Sequence, residues 1–268
     1  MKIATVQMVS GISLTANLAQ ARRLLEQASR SGAELAVLPE YFCFMGERDA
    51  DKLPLAETPG HGPVQDFLAA AARELGLWVV GGTLPMATED PTHAANASVV
   101  YSPAGESVAR YDKIHLFRYD NGRERYDEAA VLVAGHTPTT FELTDRAGTV
   151  WRIGMSVCYD LRFPELYRQL GADILLVPAA FTHTTGQAHW EVLLRARAIE
   201  NQAYVVASAQ GGTHENGRKT WGQSMVIDPW GHVLAQQAHE AGVVIAEIGM
   251  AHLQQIRRQL PALQHRRL

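Results

Sequence analysis

The sequence predicts an α/β protein of one domain, residues 1–268, folded as a four-layer α/β/β/α sandwich with an internal pseudo-twofold repeat. Apolar strand patterns alternate with helical patterns along the chain, which is typical of layered α/β folds. The order of these elements in the first half recurs in the second half. The strands are apolar on both faces, so two stacked sheets with helices outside would bury them fully.

The composition indicates a large buried core and small-molecule partners. Of the 268 residues 47% are apolar, and 24 basic residues nearly balance 28 acidic ones. This balance creates no strong field toward nucleic acid or an anionic membrane surface, so we expect neither as a partner. No apolar run approaches the length of a membrane-spanning helix.

The cysteine content and the N-terminus predict a soluble, cytoplasmic protein. The chain has two cysteines, Cys43 and Cys158, far fewer than a disulfide scaffold uses, and we interpret both as free thiols. Segment 1–8 is too short, and becomes polar too soon, to be a signal peptide.

The first half contains the predicted strands and helices of one sheet layer. In chain order they are a strand at 2–9, a helix between the N-cap Ser13 and Gly32, a strand at 34–38, a helix at 63–75, a strand at 77–82, and a hairpin of strand 97–101, turn 102–105 and a return strand through Tyr111.

The second half repeats this order. Segment 31–42 matches segment 170–181 in pattern, since both pass from Gly-Ala-acid through an apolar run to proline. The hairpin segment 99–105 likewise resembles 225–231. A helix at 188–201 with a strand at 203–208 takes the place of the earlier helix and strand. Two halves of like order imply two similar sheets.

Two segments lie outside this repeat. Residues 117–136 are polar, include Arg125 and lack periodicity, which predicts a long functional loop. The tail, about residues 250–268, reads as a helix followed by Pro261 and a basic end. We expect this tail to lie on a surface or at a dimer interface.

One cysteine stands where a strand becomes a helix. The strand pattern at 150–157 runs into Cys158, a polar turn and a helix that opens at Phe163-Pro164. Such a corner exposes a side chain while it aims backbone N–H groups at the group attacked. Cys158 is therefore a candidate nucleophile, with the N–H of Tyr159 as part of an oxyanion site. The alternative is an ordinary buried core cysteine.

Two further residues with catalytic chemistry stand at comparable places. Glu40 follows Pro39 at the end of a predicted strand, and Lys113 lies just past the return strand. In a two-sheet sandwich these ends can converge with Cys158. Glu40 would then accept the thiol proton, and Lys113 with the Tyr159 N–H would stabilise an oxyanion. Taken singly, either residue could be an ordinary surface or capping residue.

Three motifs resemble signature regions of the carbon–nitrogen hydrolase (nitrilase) superfamily in order and approximate spacing. They are 39–40 (PE), 111–116 (YDKIHL) and 154–160 (GMSVCYD). The resemblance covers nearly the whole chain. It implies a Glu-Lys-Cys triad on an α/β/β/α sandwich that forms homodimers and needs no cofactor or metal.

The resemblance also implies a second glutamate between the lysine and the cysteine, before a Pro-Gly or similar turn. Glu128, seven residues before Gly135, matches this position best, and Glu124 is the less favoured alternative. Ala134 replaces the proline in this chain. Glu128 would orient Lys113 and the hydrolytic water.

The expected reaction is a two-step acyl transfer on a small-molecule amide. Glu40 takes the proton of Cys158, and the thiolate attacks a primary amide carbonyl while Lys113 and the Tyr159 N–H hold the oxyanion. Ammonia leaves, and water deprotonated by Glu40 then cleaves the thioester to a carboxylic acid.

Segment 158–166 (CYDLRFPEL) resembles the amidase branch that includes deaminated glutathione amidase and omega-amidase, and the C-terminal third is most similar to the former. Activities on N-carbamoyl amino acids or nitriles remain alternatives. The candidate substrate-binding residues are Arg125, Arg162, Phe181, Thr182 and His189. The arginines of 118–125, Arg195 and Arg197 would meet substrate carboxylates, with salt bridges within the protein as an equally good role. For Arg162 we expect a structural salt bridge, ahead of pairing with an acid near the triad.

Alternatives outside this family stay open at this point. A papain-like Cys–His hydrolase is possible because His115 and His189 are available as bases. A metal hydrolase is less favoured, since His183 and His189 are six residues apart and no Cys/His/Asp cluster has ligand spacing. A binding protein with an inert thiol is the non-enzymatic alternative.

Overall fold

The structure, a computed structural model, describes residues 1–267; residue 268, the end of the predicted tail, lies outside the described residues. The first half contains β1 (Lys2–Gln7), α1 (Leu14–Arg30), β2 (Leu35–Val37), α2 (Pro63–Leu75), β3 (Trp78–Val80), β4 (Leu84–Ala87), β5 (Ala94–Tyr101) and β6 (Ser107–Asp112). Between the halves lie β7 (Arg118–Asp120), β8 (Arg125–Asp127) and β9 (Leu132–Val133).

The second half contains β10 (Thr140–Thr144), β11 (Val150–Met155), α3 (Pro164–Leu170), β12 (Ile174–Ala179), α4 (His183–Asn201), β13 (Tyr204–Ala209), β14 (Gly211–Thr213), β15 (Lys219–Trp221), β16 (Ser224–Ile227), β17 (Val233–Gln237), β18 (Gly242–Glu247) and α5 (Met250–Gln259). Short 3₁₀ turns occupy Asp49–Leu55, Glu128–Ala130, Cys158–Arg162 and Ala262–His265.

Six strands of each large sheet have the same order and directions, and the first sheet adds β4 and β9, which both pair with β5. In the first, β1, β2 and β3 are parallel neighbours, β5 and β6 follow antiparallel, and β18 runs antiparallel beside β1. In the second, β11, β12 and β13 are parallel, β16 and β17 follow antiparallel, and β10 runs antiparallel beside β11. The repeated element order is thus present in the topology, while the twofold rotation between the halves stays a prediction.

The sheets pack face to face with helices on both outer sides. Alternation along β2 decides which layer each side chain joins: Leu35 and Val37 enter the core shared with the second sheet, whereas Ala36 packs under α1 and α2. Ser208 of β13 donates to the Val37 carbonyl at 2.7 Å and so ties the two sheets together. This is the predicted α/β/β/α arrangement. The shared core supports the single-domain organisation, which stays a prediction.

Helix α1 begins and ends as its sequence indicates. The Ser13 side chain accepts the Ala16 N–H at 3.3 Å, and Gly32, with φ +82°, provides the left-handed turn after the last residue. Its buried face includes Leu25, whose truncation to alanine would cost about 2–5 kcal/mol.

The segment 117–136 contains regular structure that the sequence interpretation as a long loop missed. Strands β7 and β8 form an antiparallel hairpin around Asn121 and Gly122. The Asn121 side chain accepts the Arg123 N–H at 2.9 Å, and Gly122 has φ +80°. Asn-Gly is a strong hairpin signal, but the strands on either side of it are polar and short, so they show no apolar alternation.

Further elements differ from prediction, for example strand β5, which begins at Ala94 instead of Ala97. Helix α4 begins at His183 instead of Ala188, because the side chain of Thr182 accepts the N–H of Thr185 and caps the helix there. Strand β4 was not predicted, since Pro85 within it argues against a strand; the proline is tolerated at the border of the sheet.

The predicted tail helix is α5, and it packs on the body of the protein. Leu253 and Ile256 are buried, and Arg257 pairs with Asp173 at 2.7 Å. Between residues 1 and 267, no helix has both the length and the apolar character needed to cross a bilayer.

Candidate active site

Three strand ends bring Glu40, Lys113 and Cys158 to one place. Glu40 follows β2, Lys113 follows β6 and Cys158 follows β11. The ammonium nitrogen of Lys113 lies 2.9 Å from Oε1 of Glu40. Cys158 lines the same pocket as Glu40, close enough for the carboxylate charge to raise the pKa of the thiol. All of them are buried, with Glu40 and Lys113 each 1% exposed and Cys158 8% exposed. Residues distant in sequence thus form one polar cluster inside an apolar core.

Fixed donors hold the Glu40 carboxylate. Asn96 on β5 donates its side-chain amide to Oε1 at 2.9 Å, and the backbone N–H of Ala180 donates to Oε2 at 2.9 Å. Sequence reasoning missed Asn96. Its signal was a polar residue among the alanines of segment 94–97, where a buried strand would otherwise be apolar.

Glu128 is the second carboxylate that contacts Lys113. Its Oε1 and Oε2 lie 2.9 and 2.8 Å from the lysine ammonium, and they also accept the Tyr41 hydroxyl at 2.9 Å and the Phe117 N–H at 2.7 Å. The alternative, Glu124, instead accepts a hydrogen bond from Thr184 at an exposed position.

The Gly135 position explains the end of this loop. Its N–H donates to the Lys113 carbonyl at 2.8 Å, and a β-carbon there would collide with the Asp112 carbonyl. Only glycine therefore fits at this position, which makes Gly135 a reliable sequence marker even though Ala134 replaces the proline.

The charged groups of the cluster shift one another's pKa values. Burial alone would lower the pKa of Lys113, but the carboxylates of Glu128 and Glu40 outweigh it and raise that pKa. Burial would raise the pKa of Glu128, yet the Lys113 charge and hydrogen bond lower it overall. Burial and the Glu40 charge raise the pKa of Cys158 well above its usual range, despite Lys113. The resting cluster is a neutral thiol beside an ammonium held by two carboxylates.

A strained turn presents the thiol. Cys158 has φ +50°, which a residue other than glycine adopts only when its surroundings enforce it. Asp160, fully buried, supplies that enforcement: Oδ2 accepts the Val157 N–H at 2.8 Å and the Tyr111 hydroxyl at 2.7 Å, and Oδ1 accepts the His115 N–H at 3.0 Å. One carboxylate therefore joins the cysteine turn to the segment that carries Lys113.

Tyr159 is the second residue of the 3₁₀ turn Cys158–Arg162. Backbone N–H groups at the start of a helical turn have no acceptor within that turn. The Tyr159 N–H is therefore available beside the thiol.

A narrow pocket opens at Cys158. Its empty space, including the part open to solvent, is about 290 Å³. Its walls combine the reactive groups with aromatic, threonine and arginine side chains. They are Glu40, Phe117, Glu128, Cys158, Tyr159, Arg162, Ala180, Phe181, Thr182, Thr185 and Arg218. Arg162, Phe181 and Thr182 thus lie where we expected substrate-binding residues.

Arg162 is aimed at this pocket without an acidic partner. Its guanidinium lies 5.8 Å from the ring centre of Tyr159 and 5.5 Å from that of Phe181, and its amino groups are 3.3 Å from Nδ1 of His189. Among residues 1–267 no carboxylate forms a salt bridge with Arg162, so the expected structural salt bridge is absent there.

Two predicted pocket residues lie elsewhere. His189 contacts Arg162 and does not line the pocket, whereas Thr185 of the same helix does. Arg125 stands at the exposed start of β8 and borders a neighbouring cavity. Arg218, which lines both cavities, was missed because segment 214–219 has no strand or helix pattern.

The histidines proposed as alternative bases have other contacts. His115 bonds Asp160 at 2.7 Å through Nδ1 and stacks on Phe163 with ring centres 3.6 Å apart. No histidine of the described chain lines the Cys158 pocket. Within residues 1–267, no three His, Cys, Asp or Glu side chains are grouped so as to hold a metal ion.

Fold and pocket together define a class of protein. A sandwich that places a buried thiol between a carboxylate and a carboxylate-bound ammonium has the parts needed for thiol-dependent hydrolysis of amides. The chain belongs to the carbon–nitrogen hydrolase family, whose family model matches residues 2–258.

Known proteins resemble the chain over most of its length. The deaminated glutathione amidase of Synechocystis is 43% identical, with coverage of 98% of this chain and 97% of that protein. The crystal structure of the Caenorhabditis elegans NitFhit protein has a TM-score of 0.88 and 37% identity, covering 99% of this chain and 65% of that chain. A glutamate-to-glutamine mutant of the Nesterenkonia amidase, described with acrylamide added at its active-site cysteine, has a TM-score of 0.78 and 26% identity, covering 97% and 98%.

Proposed function

We propose that this chain is an amidase that hydrolyses deaminated glutathione. One observation carries the proposal: the buried Cys158 thiol shares a pocket with the Glu40 and Glu128 carboxylates and with Arg162, a guanidinium that has no acidic partner among residues 1–267. The similarity to the Synechocystis deaminated glutathione amidase at 43% identity supports the choice of substrate.

The first half-reaction forms a thioester. Glu40 takes the proton of Cys158 as the sulfur bonds to the amide carbonyl carbon, and the resulting oxyanion accepts hydrogen bonds from Lys113 and the Tyr159 N–H. The carbon–nitrogen bond then breaks, and Glu40 returns the proton to the departing nitrogen. A base is required because burial keeps the thiol protonated, with its pKa well above the usual range.

The second half-reaction hydrolyses the thioester. Glu40 takes a proton from water, and the water oxygen bonds to the acyl carbon. The carbon–sulfur bond breaks, and the thiolate of Cys158 recovers the proton from Glu40. Glu128 keeps Lys113 in place through both steps by its two contacts of 2.9 and 2.8 Å.

The identity of the leaving group follows from the substrate's chemistry. In deaminated glutathione the acyl part is an α-keto acid and the amine belongs to a cysteinylglycine dipeptide. The amine product is then the dipeptide, whereas a primary amide would release ammonia. The α-keto carboxylate would pair with Arg162, which lies on the pocket wall.

Omega-amidase activity is the second candidate function. Alpha-ketoglutaramate has the same acyl part as deaminated glutathione, so the same contact with Arg162 would hold it. The two candidates differ only in the leaving group.

Product analysis tests this proposal. Purified protein is incubated with deaminated glutathione, α-ketoglutaramate, an N-carbamoyl amino acid and a simple nitrile, and acid, amine and ammonia are quantified. We expect the highest kcat/KM on deaminated glutathione, an acyl adduct on Cys158 by intact mass, loss of activity in Cys158→Ala and retained activity in Cys43→Ala. Faster cleavage of the nitrile or the carbamoyl compound would contradict the proposal.

We further propose a homodimer formed through the outer face of α4. Val192 and Ile199 on this helix are 68% and 50% exposed, and Trp230 is 52% exposed. Arg195 donates to the Gly231 carbonyl at 2.9 Å, which brings the Trp230 turn beside the helix. Clustered exposed apolar side chains favour association. Light scattering of the wild-type protein and of Val192→Glu tests this, with a monomeric wild type as the contradicting outcome.

A cytoplasmic location is proposed on the state of the thiols. Cys43 and Cys158 are both free, and a reactive free thiol persists best in a reducing compartment. Cell fractionation with an antibody against the native protein tests it.

A further inference from the structure

A second cavity adjoins the Cys158 pocket and is more open. Its empty space, including the part open to solvent, is about 970 Å³. Arg218 forms part of the wall of both cavities. Arg125, which the sequence indicated as a substrate contact, borders this second cavity. A molecule that extends from the thiol past Arg218 would therefore enter it.

Lys52 is the most unusual residue of this cavity. It is 9% exposed, yet its ammonium makes only a cation–π contact, 4.6 Å from the Tyr41 ring centre, and a long ion pair with Asp49 at 3.7 Å. Within residues 1–267 no oxygen accepts a hydrogen bond from it. A buried ammonium without acceptors is unfavourable, so an anion in the cavity would stabilise it.

Arg218 has a similar deficit. Its Nε is buried and has no acceptor among the described residues, and its nearest oxygen contact is the Ala180 carbonyl at 3.5 Å. The guanidinium lies 5.0 Å from the ring centre of Tyr126, and no carboxylate of residues 1–267 forms a salt bridge with it. Two neighbouring cations thus lack anionic partners of normal geometry.

The two other cations of the wall have acidic neighbours. Arg48 is paired with Asp51, which lies outside the wall, and the acidic side chains of the wall are Glu47 and Asp49. Arg125 likewise lies 4.0 Å from Asp120, which is also outside the wall. Lys52 and Arg218, the two cations of the wall that are not exposed, have no carboxylate within hydrogen-bonding distance among residues 1–267.

We propose that this second cavity is a distal subsite that binds the terminal carboxylate of the leaving amine through Lys52 and Arg218. This inference rests on the proposed amidase function and specifies its substrate class: amides whose amine half is a short peptide that ends in a free carboxylate. Two extended residues span at most about 7 Å. The terminal carboxylate of a dipeptide amine would therefore lie up to about 7 Å from the scissile bond. Arg162 would hold the acyl carboxylate, and the distal subsite would hold the other one.

The subsite also contacts the catalytic cluster. Lys52 lies over the ring of Tyr41, and the Tyr41 hydroxyl donates to Glu128 at 2.9 Å. Tyr41 therefore lies between Lys52 of the subsite and Glu128, the residue that contacts Lys113.

A pair of ligands tests the subsite independently of turnover. Deaminated glutathione and its C-terminal carboxamide differ only in the distal charge, and their binding to the Cys158→Ala protein is measured by calorimetry. We expect the acid to bind about ten- to a hundredfold more tightly, as for one charged hydrogen-bonded contact. Adding Lys52→Met should lower the ratio of the two affinities, and adding Arg218→Gln as well should bring it near unity. Lys52→Arg should preserve it, and so should Lys219→Met, the matched control on an exposed strand.

Equal affinity for acid and carboxamide in the Cys158→Ala protein overturns the distal subsite, whatever the variants do. A preference that survives Lys52→Met and Arg218→Gln also overturns the assignment of these residues. Turnover by the wild-type protein is a separate measurement. If neither ligand is cleaved, the proposed amidase function is wrong. The ratio of affinities measured with Cys158→Ala still tests the subsite in that case.

Discussion

Lys113 and Glu128 form a two-pronged ion pair, with the ammonium nitrogen 2.9 Å from one carboxylate oxygen and 2.8 Å from the other. Glu40 contributes only one oxygen to the same ammonium, at 2.9 Å. Glu128 therefore fixes the position of Lys113, and Glu40 keeps its second oxygen, bound by the Ala180 N–H, and its contact with the thiol. This division matches a positioning role for Glu128 and a proton-transfer role for Glu40.

Glu128→Gln should lower kcat while KM changes little. The amide keeps the shape of the carboxylate but removes its charge, so Lys113 is less firmly held where the oxyanion forms. We expect a fall in kcat of roughly ten- to a hundredfold, somewhat below the loss of a direct oxyanion donor. Glu124→Gln is the matched control, because Glu124 contacts Thr184 at the surface. Steady-state kinetics that show equal losses for both variants would exclude the positioning role.

The same pair predicts how stability changes with pH. The pKa of Glu128 is lowered in the folded protein, so its contribution is complete above the unfolded value of about 4.3 and is lost as pH falls through the folded pKa. The pKa of Lys113 is raised, so its contribution is complete below about 10.4 and is lost only as pH rises through the still higher folded pKa.

Urea unfolding of the wild type and of Glu128→Gln checks this. The difference in free energy of unfolding should stay constant between about pH 6 and pH 9 and shrink below about pH 4, where the wild-type carboxylate becomes protonated. A difference that grows toward acid would show the opposite sign of shift and contradict the ion pair.

The thiol of Cys158 should titrate in the alkaline range. Burial and the Glu40 charge both raise its pKa, so alkylation by iodoacetamide should be slow at neutral pH and accelerate well above it. In Glu40→Gln the negative charge is gone, so the alkylation profile should move to lower pH although turnover is lost. Cys43, whose pKa burial raises to about 12, should stay unmodified by peptide mass analysis. A wild-type profile with a plateau at acidic pH would favour a Cys–His ion pair instead.

Arg162→Gln should lower kcat/KM for substrates that carry a carboxylate on the acyl part. The guanidinium has no carboxylate partner among residues 1–267, so its loss would remove the proposed contact with the substrate carboxylate and would leave no acid of the protein unpaired. We expect kcat/KM on α-ketoglutaramate to fall about ten- to a hundredfold. Arg168→Gln, on α3 and outside the Cys158 pocket, is the control. An equal loss on a neutral amide such as propionamide would argue against carboxylate recognition.

The sequence predicts features that depend on neighbouring residues better than features that depend on tertiary contacts. Strand ends, caps and the cysteine corner are local patterns, and they placed Glu40, Lys113 and Cys158 at strand ends that the structure brings together. Contacts that depend on tertiary packing left weaker traces. Arg218 lines the pocket from a segment with no periodic pattern. Nothing in the sequence around His189 indicates that Thr182 and Thr185, and not His189, line the pocket.

Asp160→Asn should destabilise the fold and the site together. The Asp160 carboxylate accepts the Val157 N–H, the Tyr111 hydroxyl and two His115 donors, and an amide turns one acceptor into a donor that faces donors. Each buried donor left without an acceptor costs about 1–3 kcal/mol, so we expect a loss of about 2–4 kcal/mol in free energy of unfolding.

Tyr111→Phe is the graded comparison for Asp160→Asn, because it removes one donor and leaves the carboxylate bound to the others. We expect it to cost about 1 kcal/mol. Since Asp160 holds the strained turn that presents Cys158, the rate of alkylation of that thiol should change in Asp160→Asn and remain near the wild-type value in Tyr111→Phe. Urea unfolding and iodoacetamide kinetics measured on the same preparations check both parts. Equal stability of the two variants would mean that Tyr111, and not the whole network, carries the effect.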